Sequence, residues 1–155
     1  RFCELIQLLE RVHKAGYVHC DVRRANLIVA KSGSEEQLVL VDWAAAGQCG
    51  AVIEHWSGTL ATLDAVTLIA LNNRDKVKLR PAHDLHSLWR TAFLTWNGDR
   101  SRDLSDLARA RDYIGIRSLW RLCVLVWPSW QPVEAAAEAA DYQGLAAALR
   151  RAMES

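Results

Sequence analysis

Apolar residues near the start of the chain recur at helical spacing. This periodicity predicts an amphipathic helix over 5–14, ended by Gly16 as a C-terminal cap. We interpret His13 as an ordinary exposed or packed residue of this helix. The apolar positions are Leu5, Ile6, Leu8, Leu9 and Val12. This face should be buried against the rest of the domain.

Two short apolar runs follow and are typical of β-strands. Residues 27–30 read Leu-Ile-Val-Ala and residues 38–41 read Leu-Val-Leu-Val, and β-branched side chains favour strands. The segment 31–37 between them is polar and contains a glycine, which predicts a turn. Together they indicate a small hairpin.

The rest of the chain has a mainly helical pattern. An apolar stripe over 85–96 predicts a buried helix that begins after Pro81. Residues 45–79 lack clear periodicity, and we expect an irregular segment there. Further predicted helices cover 103–111, 116–127 and 132–153, with an interruption at Gly144. The pattern therefore predicts a mainly α domain of the α+β class, with a small β element over 18–41.

Composition adds exclusions to this picture. The 155 residues are 51% hydrophobic with a formal net charge of +1. This balance suits one globular domain and gives no direct indication of nucleic-acid or membrane-surface binding. No apolar run reaches the roughly 18 residues that a spanning helix needs. The cysteines lack metal-ligand spacing, which favours reduced thiols in an intracellular compartment.

Polar residues that suit phosphate chemistry flank the predicted hairpin. Asp21 and Asn26 precede its first strand, and Asp42 follows its second strand. Carboxylate and amide oxygens suit Mg²⁺, and a loop carboxylate is able to accept the proton of a substrate hydroxyl. These residues predict a site for a metal ion and a phosphorylated ligand.

Four segments resemble, in order and spacing, parts of the protein-kinase-like fold. The stretch His-Cys-Asp-Val-Arg-Arg-Ala-Asn at 19–26 resembles the catalytic loop, and Asp-Trp-Ala at 42–44 resembles the metal-binding loop. Gly-Thr at 58–59 is similar to the start of the substrate-docking loop. Asp-Leu-His-Ser-Leu at 84–88 is similar to the start of the large central helix. The resemblance implies that 1–155 is the C-terminal lobe of such a domain.

The resemblance also implies roles for individual side chains. Asp21 would act as the catalytic base, and Arg23 would stabilise charge on the transferring phosphate. Asn26 and Asp42 would bind Mg²⁺ and, through it, ATP.

Other residues in these segments are implied to be structural. His19 would pack beneath Trp43, the hydroxyl of Thr59 would help to hold the catalytic aspartate, and Asp84 would hold the backbone of the catalytic loop.

Some positions depart from the family pattern. Cys20 replaces an arginine that, in many kinases, pairs with a phosphorylated activation loop, so that route of regulation lacks its cation. Ala44 replaces a glycine and should restrict the metal-binding loop. No Ala-Pro-Glu follows Thr59, and Asp64 is the candidate for the structural role of that glutamate.

Several functional interpretations remain open. The first is the lobe of a Ser/Thr-type protein kinase with a protein substrate; more loosely, it resembles fungal-type kinase-like domains and those of Crinkler effectors. The Crinkler resemblance would imply a secreted effector acting inside host cells. The second is a small-molecule kinase of the aminoglycoside or choline type, which shares the Val-Asp-Trp-x-x-Ala-Gly seen at 41–47. The third is an inactive pseudokinase scaffold.

The N-terminal lobe of a kinase is not recognisable in 1–155. No phosphate-covering Gly-rich loop or lysine-bearing strand precedes the catalytic loop in this sequence. We therefore expect that this piece alone binds nucleotide weakly and transfers no phosphate.

Overall fold

The computed structural model describes residues 2–32, 35–97 and 101–154. These residues form mainly helices with small antiparallel sheets, which confirms the predicted mainly α, α+β class. The α-helices are Phe2–Lys14 (α1), Ala65–Asn73 (α2), Pro81–Asn97 (α3), Ser101–Arg109 (α4), Tyr113–Val126 (α5), Gln131–Glu138 (α6) and Tyr142–Glu154 (α7). None of them is long and apolar enough to cross a membrane.

The strands are short and pair two by two. They are Tyr17–Val18 (β1), Leu27–Ser32 (β2), Glu35–Leu40 (β3), Gly47–Gln48 (β4), Val52–Ile53 (β5) and Val77–Lys78 (β6). β1 pairs with β4, β2 with β3 and β5 with β6, all antiparallel. The 3₁₀ turn Arg24–Asn26 leads directly into β2. These pairs lie along the segment that carries the candidate site.

Helix α1 agrees with its apolar pattern. Leu5, Ile6 and Leu9 are buried, and Gly16 takes a φ of 87°, the left-handed conformation that favours glycine at a helix end. His13 is also buried, which corresponds to the packed alternative for this residue.

The β2–β3 hairpin is longer than predicted. Its register pairs Leu27 with Leu40, and both strands extend into the polar segment that we predicted as a turn. There Lys31 and Glu36 face each other and form an ion pair of 3.0 Å. Cross-strand charge pairing lets polar residues continue a ladder that apolar patterning alone would end. Positions 33–34 of the predicted turn lie outside the described residues.

The prediction of an irregular 45–79 segment was wrong for 65–73, which forms α2, and for the two-residue strands β4, β5 and β6. Asp64 caps this helix by accepting a hydrogen bond of 3.0 Å from the backbone N–H of Thr67. A capping aspartate satisfies a donor that a helix start leaves without a partner. The Asp-x-x-Thr spacing was a visible signal for this helix start.

Helix α3 is the centre of the fold. Every residue of it from Ala82 to Phe93 is buried, whereas Trp96 is 63% exposed because the last turn lies at the surface. The prediction that the apolar stripe stays buried to Trp96 was therefore wrong at its end. A cluster of aromatic rings in edge-to-face or tilted contact joins α3 to α5 and to the 3₁₀ turn before α6. It is formed by Trp89, Phe93, Trp120, Trp127 and Trp130.

The last predicted helix is two helices. The break lies at 139–141, where Ala140 has a φ of 52°. Asp141 then accepts a bond of 2.9 Å from the N–H of Gly144. The predicted interruption at Gly144 was wrong, because Gly144 lies inside the first turn of α7 that Asp141 caps.

Candidate active site

The segment 19–26, which carries Asp21 and Asn26, is anchored on α3 by Asp84. This fully buried carboxylate accepts hydrogen bonds from the backbone N–H of His19 at 2.6 Å and of Cys20 at 2.8 Å. The resemblance implied this contact with the loop backbone. Two charge-assisted bonds to consecutive amides fix the loop against the central helix.

Cys20 is held in an unusual backbone conformation. Its φ is 65°, which costs a non-glycine residue about 1 kcal/mol or more. Burial, followed by the nearby charges of Asp84 and Asp21, raises the pKa of the Cys20 thiol to about 12. The thiol therefore stays protonated and unreactive at neutral pH.

The carboxylate of Asp21 is held from several directions. Its Oδ1 accepts the backbone N–H of Thr59 at 2.8 Å. Its Oδ2 accepts Nδ2 of Asn26 at 2.8 Å and lies 3.1 Å from Nε of Arg23. Thr59 makes this contact through its main chain, whereas the resemblance implied a role for its hydroxyl. Asp21 is only 9% exposed, so its orientation is well defined.

Asn26 presents its amide oxygen. Its Nδ2 donates to the carbonyl oxygen of Asp21 at 2.9 Å as well as to the carboxylate, so both of its N–H bonds are directed at one residue. Among the described residues, Oδ1 of Asn26 has no hydrogen-bond partner. This buried amide is therefore oriented with an acceptor available for a ligand.

Asp42 is brought next to Asn26 by the hairpin. The N–H of Val41 donates to the carbonyl oxygen of Asn26 at 2.9 Å, and Asp42 follows directly with an exposed side chain. Its φ of 62° is strained for a residue other than glycine. The sequence placed the conformational constraint at Ala44, but the left-handed residue of this loop is Asp42. Within the described residues, no side-chain hydrogen bond joins Asn26 and Asp42.

His19 and Trp43 pack on each other. Their ring centroids are 4.5 Å apart with the rings at 70°. Nε2 of His19 lies 3.2 Å from the carbonyl oxygen of Val41, and Nδ1 accepts the N–H of Asp21 at 3.2 Å. Because both nitrogens are engaged and the residue is fully buried, His19 supports the loop and is unsuited to proton transfer.

Gly58 allows the backbone N–H of Thr59 to approach Asp21. A Cβ built at this position would overlap the carbonyl oxygen of Cys20, a backbone atom. Only a residue without a side chain brings the N–H of Thr59 this close to the 19–26 segment. This close approach explains why a glycine precedes Thr59.

Two residues near the site have partners that the sequence did not predict. His13 on α1 bonds Asp84 through Nε2 at 2.9 Å and Tyr142 through Nδ1 at 2.8 Å. Asp64 is fully buried and binds Arg80 and His83, each at 2.8 Å. Partners so distant in sequence left no local pattern.

The oxygen ligands at the candidate site fit a Mg²⁺ ion that is also bound by phosphate oxygens. Among the described residues, no group of three or more His, Cys, Asp or Glu side chains is arranged to hold a metal ion. The candidate site uses one amide oxygen, from Asn26, and one carboxylate, from Asp42. Mg²⁺ in phosphate-binding sites takes few protein oxygens beside those of substrate and water.

The chain matches no protein-family model and no curated protein.

Proposed function

We propose that the chain is the C-terminal lobe of an ATP-dependent protein kinase that transfers the γ-phosphate to a Ser or Thr hydroxyl. The observation that carries this proposal is the fixed carboxylate of Asp21. It is bonded by Asn26 and by the amide of Thr59, and its loop is anchored on Asp84. A preorganised acceptor of protons beside an oriented amide oxygen is what phosphoryl transfer requires.

In this proposal Asp21 orients the acceptor hydroxyl and accepts its proton. Its side chain does not need to rearrange, because its present bonds already fix both oxygens. The side chain of Arg23 is 45% exposed although Nε contacts Asp21, so its other N–H groups are able to bind phosphate oxygens. ATP would supply the phosphoryl group, and Mg²⁺ would neutralise its charge. Asn26 and Asp42 would hold the metal ion.

A small-molecule kinase is the second candidate, favoured by the segment after Asp42. The N–H of Ala46 donates to the carbonyl oxygen of Trp43 at 3.0 Å, which closes a turn. Gly47 then pairs with Val18, and a Cβ on Gly47 would lie 2.5 Å from a methyl carbon of Leu79. The Asp-Trp-x-x-Ala-Gly spacing that resembles small-molecule kinases thus places Ala46 in a turn and Gly47 where a side chain would not fit. The contact between Thr59 and Asp21 favours the protein kinase.

The test is metal-dependent nucleotide binding by the chain. We expect ADP with Mn²⁺, used as a paramagnetic substitute for Mg²⁺, to broaden the amide NMR signals near Asn26 and Asp42. Asp42→Asn should weaken this binding by about tenfold or more, since it removes a charged ligand. Asp75→Asn, at an exposed position, is the matched control and should leave it unchanged. Equal binding by Asp42→Asn, or no nucleotide-dependent broadening, would contradict the proposal.

A further inference from the structure

A cavity of about 320 Å³ lies beside the catalytic-loop segment. The residues that matter in its lining are Arg23, Arg24, Thr59, Thr62, Leu94 and Leu104. Among the described residues, no carboxylate lines it. It combines guanidinium groups with hydroxyls and apolar side chains.

The cavity is adjacent to the carboxylate of Asp21. Nε of Arg23 lies 3.1 Å from Oδ2 of Asp21, and the N–H of Thr59 donates to Oδ1 at 2.8 Å. Both of these residues also line the cavity. A molecule bound in the cavity would therefore lie next to the carboxylate oxygens of Asp21, which would accept the proton of the substrate hydroxyl. The cavity is therefore the candidate site for the acceptor substrate of the proposed kinase.

One of the two arginines of the cavity has no opposing charge within the described chain, whereas Arg23 is paired with Asp21. Arg24 is exposed and has no ion-pair partner among the described residues. The threonine hydroxyls deeper in the cavity are occupied, because Thr62 donates to Ser87 at 3.3 Å and Thr91 donates to the carbonyl oxygen of Val22 at 3.2 Å. The available polar groups are therefore mainly cationic, and they favour an anionic ligand.

We propose that this acceptor pocket selects a peptide segment in which the acceptor Ser or Thr is flanked by acidic residues. The inference rests on the proposed kinase function and adds the substrate class. The volume is at the lower end for ligand sites and suits one or two side chains of a chain that continues outside. Arg24 is placed to pair with a carboxylate of that segment.

The experiment is an NMR titration of the chain with a short peptide carrying one serine followed by three acidic residues. The matched peptide has the corresponding amides, and free phosphoserine is the small-anion probe. We expect the acidic peptide to shift the amide signals of Thr59 and Thr62. Binding of the amide peptide should be at least about fivefold weaker, as should binding of the acidic peptide to Arg24→Ala. Arg117→Ala, an exposed arginine on α5, removes the same charge and should have no effect.

The outcomes separate this inference from the proposed function. Equal binding of both peptides, or unchanged binding to Arg24→Ala, would overturn the acidic preference. If phosphoserine binds as tightly as the acidic peptide, the proposal that the pocket selects a peptide is wrong, and a small anionic acceptor is favoured. If the acidic peptide does not bind while Mn²⁺-ADP still broadens the signals at Asp42, the acceptor pocket is wrong and the kinase proposal stands. Peptide binding without any nucleotide-dependent broadening would contradict the kinase proposal instead.

Discussion

Single residues set the backbone conformation of the candidate site. Cys20 and Asp42 both adopt left-handed backbone conformations that favour glycine. At Cys20 the strain is offset by the hydrogen bond from its N–H to Asp84. Strain of this kind persists where surrounding contacts determine the backbone, and it is concentrated at functional sites. The candidate site is therefore rigid before any ligand binds.

Gly58→Ala tests this rigidity. The new Cβ would overlap the carbonyl oxygen of Cys20, and backbone atoms cannot move aside as a flexible side chain does. We expect a loss of about 2–3 kcal/mol in the free energy of unfolding, with faster amide exchange at Thr59. Urea denaturation and hydrogen exchange are the measurements.

Gly16→Ala is the control for that substitution. Its φ is also positive, but no atom lies within 4 Å of a Cβ there. The strained backbone conformation of the alanine should lower the free energy of unfolding by only about 1 kcal/mol. Amide exchange at Thr59 should be unchanged. An equal loss for both substitutions would mean that the overlap with Cys20 is not the cause.

At the scale of elements, a charged cluster joins α2, α3 and α6. Asp64 at the start of α2 binds Arg80, which also binds Glu138 of α6 at 2.7 Å. Burial alone would raise the pKa of Asp64, but hydrogen bonds from His83 and Thr67 hold it well below its usual range. These ionised groups join helices that are far apart in sequence.

This cluster predicts sensitivity to acid. A hydrogen bond with His86, and then one with Arg80, lowers the pKa of Glu138 to about 2 from 4.5. Because its folded-state pKa is depressed, its contribution is present above pH 4.5 and is lost as the pH falls towards 2. Burial lowers the pKa of His86 below 6.5, so its protonation in the unfolded chain removes further stability below that pH.

Glu138→Gln should therefore cost most at neutral pH. We expect the free energy of unfolding to fall by about 1 kcal/mol at pH 7. The value is modest because the Glu138 side chain is 47% exposed. The difference from the unsubstituted chain should shrink towards zero between about pH 4 and pH 2. Urea denaturation across this range is the measurement, with exposed Glu4→Gln as the control. A difference that does not change with pH would refute the role of ionised Glu138.

At the scale of the whole molecule, the C-terminal helices support the site. Tyr142 at the start of α7 bonds His13 of α1, and His13 bonds Asp84, which holds the loop. The aromatic cluster on α3 also includes Trp130, just before α6. The 19–26 segment is therefore stabilised by residues more than 100 positions away in the chain.

Trp130→Ala should weaken the fold and the site together. Trp130 is 2% exposed, and truncation of a buried tryptophan costs about 3–5 kcal/mol. We expect the unfolding midpoints from tryptophan fluorescence and circular dichroism to fall in parallel, with faster amide exchange at His19. Trp96→Ala is the control, because Trp96 is 63% exposed and should cost little. Loss of stability without faster exchange at His19 would show that the site is independent of the C-terminal helices.

The sequence alone determined those features whose causes are local. Helical periodicity specified α1 and the buried part of α3, and β-branched runs specified the hairpin. The spacing of Asp21 and Asn26 let us predict that they share a loop, and their hydrogen bond spans only five residues. Turn and helix bounds were predicted less well where Lys31, Asp64 and Asp141 supplied pairing or capping that apolar patterning does not register.

Only the tertiary structure decided which distant groups meet. The contact of Thr59 with Asp21 depends on a backbone approach that Gly58 permits. The bond between His13 and Asp84 joins residues 71 positions apart. Hydrogen bonding and burial depend on distances in space, whereas a sequence pattern reports neighbours along the chain. The partners of Asp21 and Asp84 therefore follow from how α1, α3 and the 58–59 segment pack.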